Sequence, residues 1–345
     1  MSRAVIIDTD GGVDDACALW HALTDPALDV IAITVVWGNV PLDMAARSVL
    51  RVVAAAGRPE VPVALGAAEP MGPAPQLRPA GFIHGDDGLG NVARPLADGI
   101  EAIAEPAVDL LVRLTSERPQ QVSVVAIGPL TNLGLAVEGH PEWAATVDEL
   151  VVMGGSVTRG GNALPLGEAN VAHDPTAAAI VVGAGWRRPP LLVGLDVTWV
   201  ATLSEAEFDL VEQHRSDAAA FLDGPLRFYR RFGSTFTAPD TPCHDLLAVM
   251  ALSDPAVLTD TPVLPLAVDT GGGPAWGATV ADRRVLAFAA RPGSDQPRPE
   301  GFWDWRIALS ADVERFRAGA RRLFGAADSE GRPWAESTDR ARPRP

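Results

Sequence analysis

Short apolar runs alternate with helical patterns from the start of the chain to about residue 195. The runs are continuously apolar, which is typical of strands buried on both faces of a parallel sheet. Strand-like runs cover residues 4–7, 30–36, 61–65, 122–127, 150–153 and 191–195, and helical patterns cover 14–23, 41–56, 108–115, a segment ending at 135, and 176–182. This alternation predicts an α/β fold with an open, mostly parallel sheet flanked by helices.

The pattern changes after about residue 204, but no linker divides the chain. Helices are predicted at 204–213, 217–232, 245–252 and 311–324, and strands at 262–268 and 285–289. Residues 66–95 are rich in Gly and Pro and are predicted to form a long loop. We therefore expect one large domain over residues 1–325, followed by a disordered, Arg- and Pro-rich tail over 326–345.

All 28 basic residues are arginine, and they face 44 acidic residues for a net charge of -16. The absence of lysine from the sequence excludes a Schiff base, a P-loop lysine and a lysine general base. The acidic excess argues against a nucleic-acid partner, because phosphate binding needs a positive face. Composition alone leaves open whether the acids form a solvated surface or bind a cation.

The first residues enter a strand pattern without the apolar region of a signal peptide. No apolar run approaches the roughly 20 residues that cross a bilayer. We therefore expect a cytoplasmic protein with no membrane partner. Cys17 and Cys243 are too few for a disulfide scaffold, and we expect both to be buried free thiols.

Acidic residues cluster where the first predicted strand ends. Asp8, Asp10, Asp14 and Asp15 lie within eight residues, with glycines between them. A carboxylate can cap the following helix, but four like charges this close repel unless a cation binds them. Oxygen ligands favour Ca²⁺ or Mg²⁺ over zinc, and an EF-hand is excluded because Val13 stands where its invariant glycine belongs.

Asp8-x-Asp10-Gly11 after an apolar strand resembles the opening motif of haloacid-dehalogenase-type phosphatases. That resemblance would make Asp8 a nucleophile in a Mg²⁺-dependent phosphatase. The family expects Thr or Val where Gly12 stands, and a downstream lysine, occasionally arginine, to hold the phosphate. The missing lysine weakens this alternative.

A second resemblance covers more of the chain. The first strand and the following Asp-Thr-Asp-x-Gly-x-Asp-Asp-Ala-x-Ala-Leu resemble the signature of the inosine-uridine-preferring nucleoside hydrolases, although that family usually has Pro where Gly11 stands. Segments similar to further family motifs follow in the family's order at 35–40, 83–90, 126–133, 151–155, 167–175 and 243–245. Together they span about residues 4–290, and their joint occurrence is far more specific than any single motif.

The resemblance implies Ca²⁺-dependent hydrolysis of the N-glycosidic bond of ribonucleosides. It assigns Asp10, Asp15 and Asp245 as carboxylate ligands of Ca²⁺, with the backbone carbonyl of Ile127. Asp10 would also take the proton of a water whose pKa the metal lowers. For Asp245 the alternative is a simple helix cap.

The resemblance also assigns the substrate contacts. Asp14 would bind the 2′-hydroxyl, and His244 would be the general acid for the leaving base. His84 would close over the base or remain an exposed loop residue. The other expected substrate contacts are Asn39, Met153, Asn162, Glu168 and Asn170. For Asn39 and Asn162 the alternative is a left-handed turn residue after glycine.

His244 stands at the position of the less selective family members, which favours inosine, uridine or cytidine. Trp37, Trp276, Trp303 and Trp305 are further candidates for the pocket wall, as are Phe228 and Tyr229, although tryptophans are more often core residues. Relatives of this fold are usually dimers or tetramers, so a homodimer or homotetramer is expected by analogy. Besides the phosphatase, a non-catalytic, metal-dependent nucleoside- or ribose-binding protein stays open as an alternative.

Overall fold

The predicted α/β architecture is confirmed. A computed structural model describes residues 2–78, 80–92, 95–96, 99–236, 240–288 and 297–325, so the predicted tail at 326–345 lies outside the described residues. The described strands are β1 Arg3–Thr9, β2 Leu28–Val35, β3 Val63–Leu65, β4 Val122–Ala126, β5 Leu150–Met153, β6 Leu191–Val193, β7 Thr202–Leu203, β8 Thr241–Pro242, β9 Leu258–Asp260, β10 Val263–Val268, β11 Thr279–Ala281, β12 Trp303–Ile307 and β13 Ser310–Ala311.

Helices follow most strands, as the sequence pattern predicts. They are α1 Val13–Thr24, α2 Leu42–Ala55, α3 Gly81–His84, α4 Ala107–Glu117, α5 Thr131–Gly139, α6 Ala169–His173, α7 Pro175–Val182, α8 Leu195–Thr198, α9 Glu205–Glu212, α10 Asp217–Phe236, α11 His244–Ser253, α12 Arg284–Phe288 and α13 Val313–Leu323, with 3₁₀ turns at Trp143–Ala145 and Pro255–Val257. Among the described helices, none is long and apolar enough to cross a membrane.

Nine of the described strands form one sheet, in the order β11-β10-β12-β6-β5-β4-β1-β2-β3. The seven strands from β12 to β3 are parallel. β10 runs antiparallel to both β12 and β11 and ends the parallel part of the sheet. A mostly parallel sheet needs cover on both faces, and the helices supply it.

The two faces of the sheet have separate apolar cores. Alternate residues of β1 point to opposite faces, so Ile7 and Ile6 belong to different clusters. Ile7 packs with residues of α1, α2, α10, α11 and α13, whereas Ile6 packs with residues of α4, α5 and α7. The Ile7 cluster also contains Cys17 and Cys243, which are buried free thiols as predicted.

The strand order reverses beside β1. The chain runs from β1 to β2 and β3 on one side, and returns to β4, β5 and β6 on the other. β1 and β4 are parallel neighbours, with Asp8 opposite Ala126 at their carboxyl ends. Connections leave such a point in opposite directions, which opens a crevice where open α/β sheets bind ligands.

The strand predicted at 285–289 is wrong. Arg284–Phe288 is helical, and the edge strand lies earlier, at Thr279–Ala281. A short apolar run does not by itself distinguish a strand from a helix. The local reason is Asp282, whose carboxylate accepts the Arg284 N–H at 3.1 Å and begins the helical turn.

Asp174 joins three parts of the fold at the start of α7. The carboxylate is fully buried and accepts the Ala177 N–H at 3.0 Å, which caps the helix. Its other oxygen accepts the Met71 N–H at 2.8 Å and the Thr131 hydroxyl at 2.9 Å. One side chain therefore satisfies donors from a long connection and from two helices.

We expect D174A to lower the free energy of unfolding by about 2–4 kcal/mol, because two buried donors and one part-buried donor lose their acceptor. The matched control is D312A, which removes the exposed cap of α13 and its 2.9 Å bond from the Arg315 N–H. That loss should cost about 1 kcal/mol. Urea unfolding followed by circular dichroism measures both, and equal losses would contradict the role given to Asp174.

Candidate active site

The acidic turn after β1 lies in the crevice between β1 and β4. Gly11 has φ +72°, and a Cβ there would lie 2.8 Å from the backbone of Ala45 in α2. Proline cannot adopt this φ, since its ring holds φ near about −65°. The turn therefore takes a path that the Pro usual in the resembling family could not follow.

Asp15 holds the turn against the start of α1. Its carboxylate accepts the Thr9 hydroxyl at 2.5 Å and the Gly12 N–H at 2.8 Å. The second bond is half of a capping box, with Gly12 at the N-cap. The helix cap considered from the sequence is thus real, and it coexists with the acidic cluster.

Asp10 is oriented by Asn39, which follows β2. The Asn39 backbone N–H donates to Oδ2 of Asp10 at 2.8 Å, and its side-chain amide donates to Oδ1 at 2.9 Å. The same amide lies 3.2 Å from Oδ2 of Asp15. A Cβ on Gly38 would lie 2.1 Å from Oδ2 of Asp10, so glycine is required beside this carboxylate.

Three carboxylates meet above the turn. Asp14, Asp15 and Asp245 each offer one oxygen, and these oxygens lie within 4.8 Å of one another. Burial and the neighbouring Asp15 raise the pKa of Asp14 to about 7. Burial and the neighbouring acids also raise the pKa of Asp245 and of Asp10 well above their usual range. The four acids therefore repel one another.

This donor set fits a hard divalent cation. The carboxylates supply oxygen ligands at one point, which is what Ca²⁺ and Mg²⁺ require. Oδ1 of Asp14 is buried and has no hydrogen-bond partner among the described residues, so one acceptor still faces the site. A bound cation would remove the repulsion that the raised pKa values report.

The carbonyl of Ile127 faces the same crevice from the end of β4. The side-chain amide of Asn170 donates to it at 3.1 Å and to the carbonyl of Met153 at 3.1 Å. Asn170 therefore bridges the ends of β4 and β5. A carbonyl oxygen has two lone pairs, so that of Ile127 can accept this bond and also contact a cation.

Glu168 and Asn162 are held by backbone groups around α6. Glu168 is the N-cap of α6 and accepts the N–H groups of Gly155, Asn170 and Val171 at 2.8, 3.0 and 3.2 Å. Burial raises the pKa of Glu168. Asn162 is exposed at the rim, and its Oδ1 accepts the Ala169 N–H at 2.9 Å.

Two buried histidines face the cavity. His84 accepts the Val13 N–H on Nδ1 at 3.2 Å, so its ring hydrogen lies on Nε2. Burial, and then the nearby His244, lower the pKa of His84 to about 3. Burial lowers the pKa of His244 to about 4. Both imidazoles are therefore neutral at pH 7, and the 3.8 Å between Nδ1 of His84 and Asp14 is not an ion pair.

Aromatic side chains line the rest of the cavity, whose volume is about 370 Å³. The hydroxyl oxygen of Tyr229 lies 3.4 Å from Oδ2 of Asp14, and the ring centroids of Tyr229 and His84 are 5.5 Å apart. Phe82 and Phe232 pack edge to face at 5.4 Å. Trp199 also contributes to the wall. This combination suits a planar, partly polar group bound beside the acids.

The structure brings most of the predicted site residues to this cavity. Its lining includes Asp14, Asn39, His84, Ile127, Met153, Asn162, Glu168, Asn170, His244 and Asp245. Asp10 and Asp15 do not line the cavity themselves. Both accept a hydrogen bond from Asn39, which does line it. Phe82 and Trp199 also line the cavity but were not predicted, because nothing in their local sequence patterns distinguishes them from core or surface residues.

The four tryptophans considered from the sequence are not in the lining of this cavity. Trp37 instead packs edge to face on His173 at 5.2 Å. Trp305 is buried in the sheet and donates to the carbonyl of Val182 at 3.1 Å. Of the two α10 residues considered, Tyr229 reaches the cavity, and Phe228 lies against Gly90.

Asp8, the nucleophile of the phosphatase alternative, points away from the cavity. It is fully buried, and its Oδ1 accepts the Thr34 hydroxyl at 2.5 Å and the Asn132 amide at 2.7 Å. Burial raises the pKa of Asp8 to about 7. A carboxylate held between β2 and α5 in this way cannot reach a substrate in the crevice.

Comparison with known proteins points to one family. The model of the family described as inosine-uridine preferring nucleoside hydrolase matches residues 5–318. A probable uridine nucleosidase 2 of Oryza sativa subsp. japonica is 38% identical over 322 residues, covering 93% of this chain and 92% of its own. The inosine-uridine preferring nucleoside hydrolase of Leishmania major is 34% identical over 317 residues, covering 92% and 95%.

A solved structure shares the fold. The plant nucleoside hydrolase PpNRh1 superposes with a TM-score of 0.85 at 31% identity, covering 94% of this chain and 99% of its own. Similarity over nearly the whole of both chains extends from the acidic turn to α13.

We expect a divalent cation to stabilise the protein by relieving the repulsion among Asp14, Asp15 and Asp245. A ligand at 100 times its Kd adds about 2.7 kcal/mol to the free energy of unfolding. Thermal unfolding with Ca²⁺ and with EDTA measures the shift in Tm. D245N should lose the Ca²⁺ response without a lower Tm in EDTA, and a wild-type Tm insensitive to both Ca²⁺ and Mg²⁺ would contradict the metal site.

The raised pKa of Asp14 predicts how stability depends on pH in EDTA. Its folded pKa is about 7 and its ordinary value is 3.8, so the folded chain binds more protons between these values. The free energy of unfolding should therefore fall as pH rises from about 4 to 7, by at most about 1.4 kcal/mol per unit for one group. Urea unfolding at several pH values measures the slope for wild type and for D14N; because the lowered pKa values of His84 and His244 act in the opposite direction, the test is the difference, and a D14N slope equal to that of wild type would contradict the role of Asp14.

Proposed function

Because this chain belongs to the inosine-uridine preferring nucleoside hydrolase family, and is therefore an N-glycosyl hydrolase, we propose that it hydrolyses ribonucleosides to free base and ribose with Ca²⁺ as its cofactor. The substrate is a small nucleoside, with uridine and inosine the first candidates. The similarity to a probable uridine nucleosidase of rice supports uridine.

The observation that carries this proposal is a cluster of buried acids beside two neutral histidines in one cavity. Cleavage of an N-glycosidic bond passes through a ribosyl cation, which carboxylates stabilise. The departing base needs a hydrogen-bond donor for its developing negative charge, which a neutral imidazole N–H can supply. The cavity therefore offers negative charge to the ribosyl half of a nucleoside and hydrogen-bond donors to its base.

We assign Asp10, Asp15, Asp245 and the carbonyl of Ile127 to the cation. When bound, Ca²⁺ supplies Lewis acidity that lowers the pKa of a nearby water and orients sugar hydroxyl groups. Asp14 lines the cavity, and its Oδ1 is buried and has no hydrogen-bond partner among the residues described. We assign this oxygen to the 2′-hydroxyl of ribose.

Asp10 acts as the general base for the attacking water. Asn39 donates to both of its oxygens and fixes their direction. Burial and the adjacent Asp15 raise the pKa of Asp10, so its carboxylate takes a proton more readily than an exposed aspartate does. The residues around Asp10 therefore set both the orientation and the basicity of its carboxylate.

The remaining polar residues surround the sugar. Asn170 uses its amide N–H₂ on the carbonyls of Ile127 and Met153, which leaves its Oδ1 to accept from a ribose hydroxyl. Glu168 lies beside it on α6, and Asn162 at the rim presents its amide to the 5′ side. Their bonds to the backbone hold these groups in place before substrate arrives.

Release of the base is assigned to His244, with His84 as a second donor. His84 carries its hydrogen on Nε2 because Nδ1 accepts a backbone N–H. Two neutral imidazoles suit a base that presents acceptor atoms, such as the carbonyl oxygens of uracil or hypoxanthine. The rings of Phe82, Phe232 and Tyr229 would pack against its faces.

We expect D10N to lower kcat for uridine or inosine by about 10²- to 10⁴-fold, because the general base and one carboxylate ligand of the cation are lost while the side-chain volume is unchanged. The matched control is D109N, an exposed position on α4 that should retain wild-type activity. Reducing sugar released from inosine, uridine, cytidine and adenosine measures the rate, with Ca²⁺ present and after chelation by EDTA.

Release of ribose by D10N at the wild-type rate would contradict the assignment of Asp10. If the Ca²⁺-loaded wild type released no ribose from any of the four nucleosides, the proposal that this protein hydrolyses common ribonucleosides would be wrong. Nucleoside binding by calorimetry without turnover would then indicate a binding protein. Phosphate release that depends on Mg²⁺ and on Asp8 would instead indicate the phosphatase.

A further inference from the structure

The last residue of α8, Thr198, contacts the imidazole of His244 through a hydrogen bond. Nδ1 of His244 lies 2.8 Å from the hydroxyl oxygen of Thr198, and both side chains are buried. The two residues are 46 positions apart in the chain. This hydroxyl is therefore a long-range contact to a ring that faces the cavity.

The direction of this hydrogen bond follows from counting hydrogens. Across the described ranges, Nδ1 of His244 is the sole hydrogen-bond partner found for the Thr198 hydroxyl. If Nδ1 donated to Thr198, the hydroxyl hydrogen would be buried without an acceptor, which costs about 1–3 kcal/mol. The hydroxyl therefore donates to Nδ1, and the neutral ring carries its hydrogen on Nε2.

The next residue fixes the plane of the ring. Trp199 packs edge to face on His244, with ring centroids 5.2 Å apart and planes at 85°. A hydrogen bond at Nδ1 fixes one edge of the imidazole, and the indole limits rotation about the remaining axis. Two adjacent residues thus control both the tautomer and the orientation of His244.

We propose that Thr198 is a positioning residue for release of the base, because it keeps the hydrogen of His244 on Nε2, where it can donate a hydrogen bond to the departing base. This inference rests on the proposed hydrolysis of nucleosides. In the step concerned, the N-glycosidic bond breaks, its electron pair goes to the base, and the Nε2–H of the neutral imidazole donates a hydrogen bond to the negative charge that develops there. The base then takes its proton from solvent water, and the hydroxide left behind removes from Asp10 the proton of the attacking water.

The same short helix also holds the rim of the cavity through a different side chain. Asp196 accepts the N–H groups of Val157 and Thr158 at 2.9 and 2.7 Å, in the loop that leads to Asn162. Because the ribose side and the base side are anchored by different residues of α8, substitutions at Asp196 and Thr198 should have different kinetic effects.

The decisive experiment compares two leaving groups. Uracil leaves as a basic anion whose charge a hydrogen bond stabilises, whereas 4-nitrophenolate is a weakly basic anion that leaves without such help. We expect T198V to lower kcat for uridine at least tenfold, within the ~10²–10³ that one hydrogen-bond donor to a developing negative charge contributes, with KM changed less than about twofold. Hydrolysis of 4-nitrophenyl riboside should stay within about twofold of wild type, and T198S should restore the rate with uridine.

Two controls separate this role from a general loss of stability. T115V removes another fully buried threonine hydroxyl, which bonds Trp143 at 2.8 Å far from the cavity, and it should leave both substrates unaffected. D196N should raise KM for both substrates, because it loosens the ribose side. Nitrogen NMR of the imidazole rings, with His244 assigned from H244Q, should show the hydrogen on Nε2 in wild type and a mixture in T198V.

The inference is overturned if T198V slows both substrates equally, if T198S fails to restore uridine hydrolysis, or if the hydrogen of His244 lies on Nδ1 in wild type. A wild-type protein that hydrolyses neither substrate would instead contradict the proposed function. If wild type hydrolyses both substrates and T198V hydrolyses them at the same rates, only the role of Thr198 is contradicted, and the proposed function stands.

Discussion

Repulsion among buried carboxylates is the constraint on which the rest of this structure depends. Asp10, Asp14, Asp15 and Asp245 come from the turn after β1 and from the first turns of two helices, and burial raises the pKa of three of them. A domain is stable by only about 5–15 kcal/mol, so repulsion among buried charges matters against this small net stability. The surrounding strand, β1, is almost wholly buried, and two separate apolar clusters hold it in place.

Neutral donors hold these acids without cancelling their charge. Asn39 bonds Asp10 and Asp15, the Gly12 N–H bonds Asp15, and the Tyr229 hydroxyl approaches Asp14. An arginine in any of these places would neutralise the cluster and compete with a cation. Amide and hydroxyl donors fix the geometry and leave the negative charge for a ligand, which is how electrostatic preorganisation works.

Local features of the sequence predicted the fold and the acidic centre well. The strand before the acids and the helix after them are short-range patterns, and the strand order brings Ile127 beside them. Contacts between distant segments were not predictable, because Thr198 meets His244 across 46 residues and through no recognisable motif. The order of residues likewise did not tell which three acids would lie closest, and the structure groups Asp14 with Asp15 and Asp245. The helix at Arg284–Phe288 was missed because its apolar run is too short to have a period.

The two cysteines give this chain a built-in measure of local opening. Cys17 lies on α1 and Cys243 is the N-cap of α11, and both thiols have no exposure to solvent. These helices carry acids of the central cluster, so a thiol reagent can react only when the α1–α11 interface separates. The rate of labelling therefore reports the frequency of that separation, in the same way as hydrogen exchange reports local unfolding. Since the sequence contains no other cysteine, the signal comes from this interface without any engineered probe.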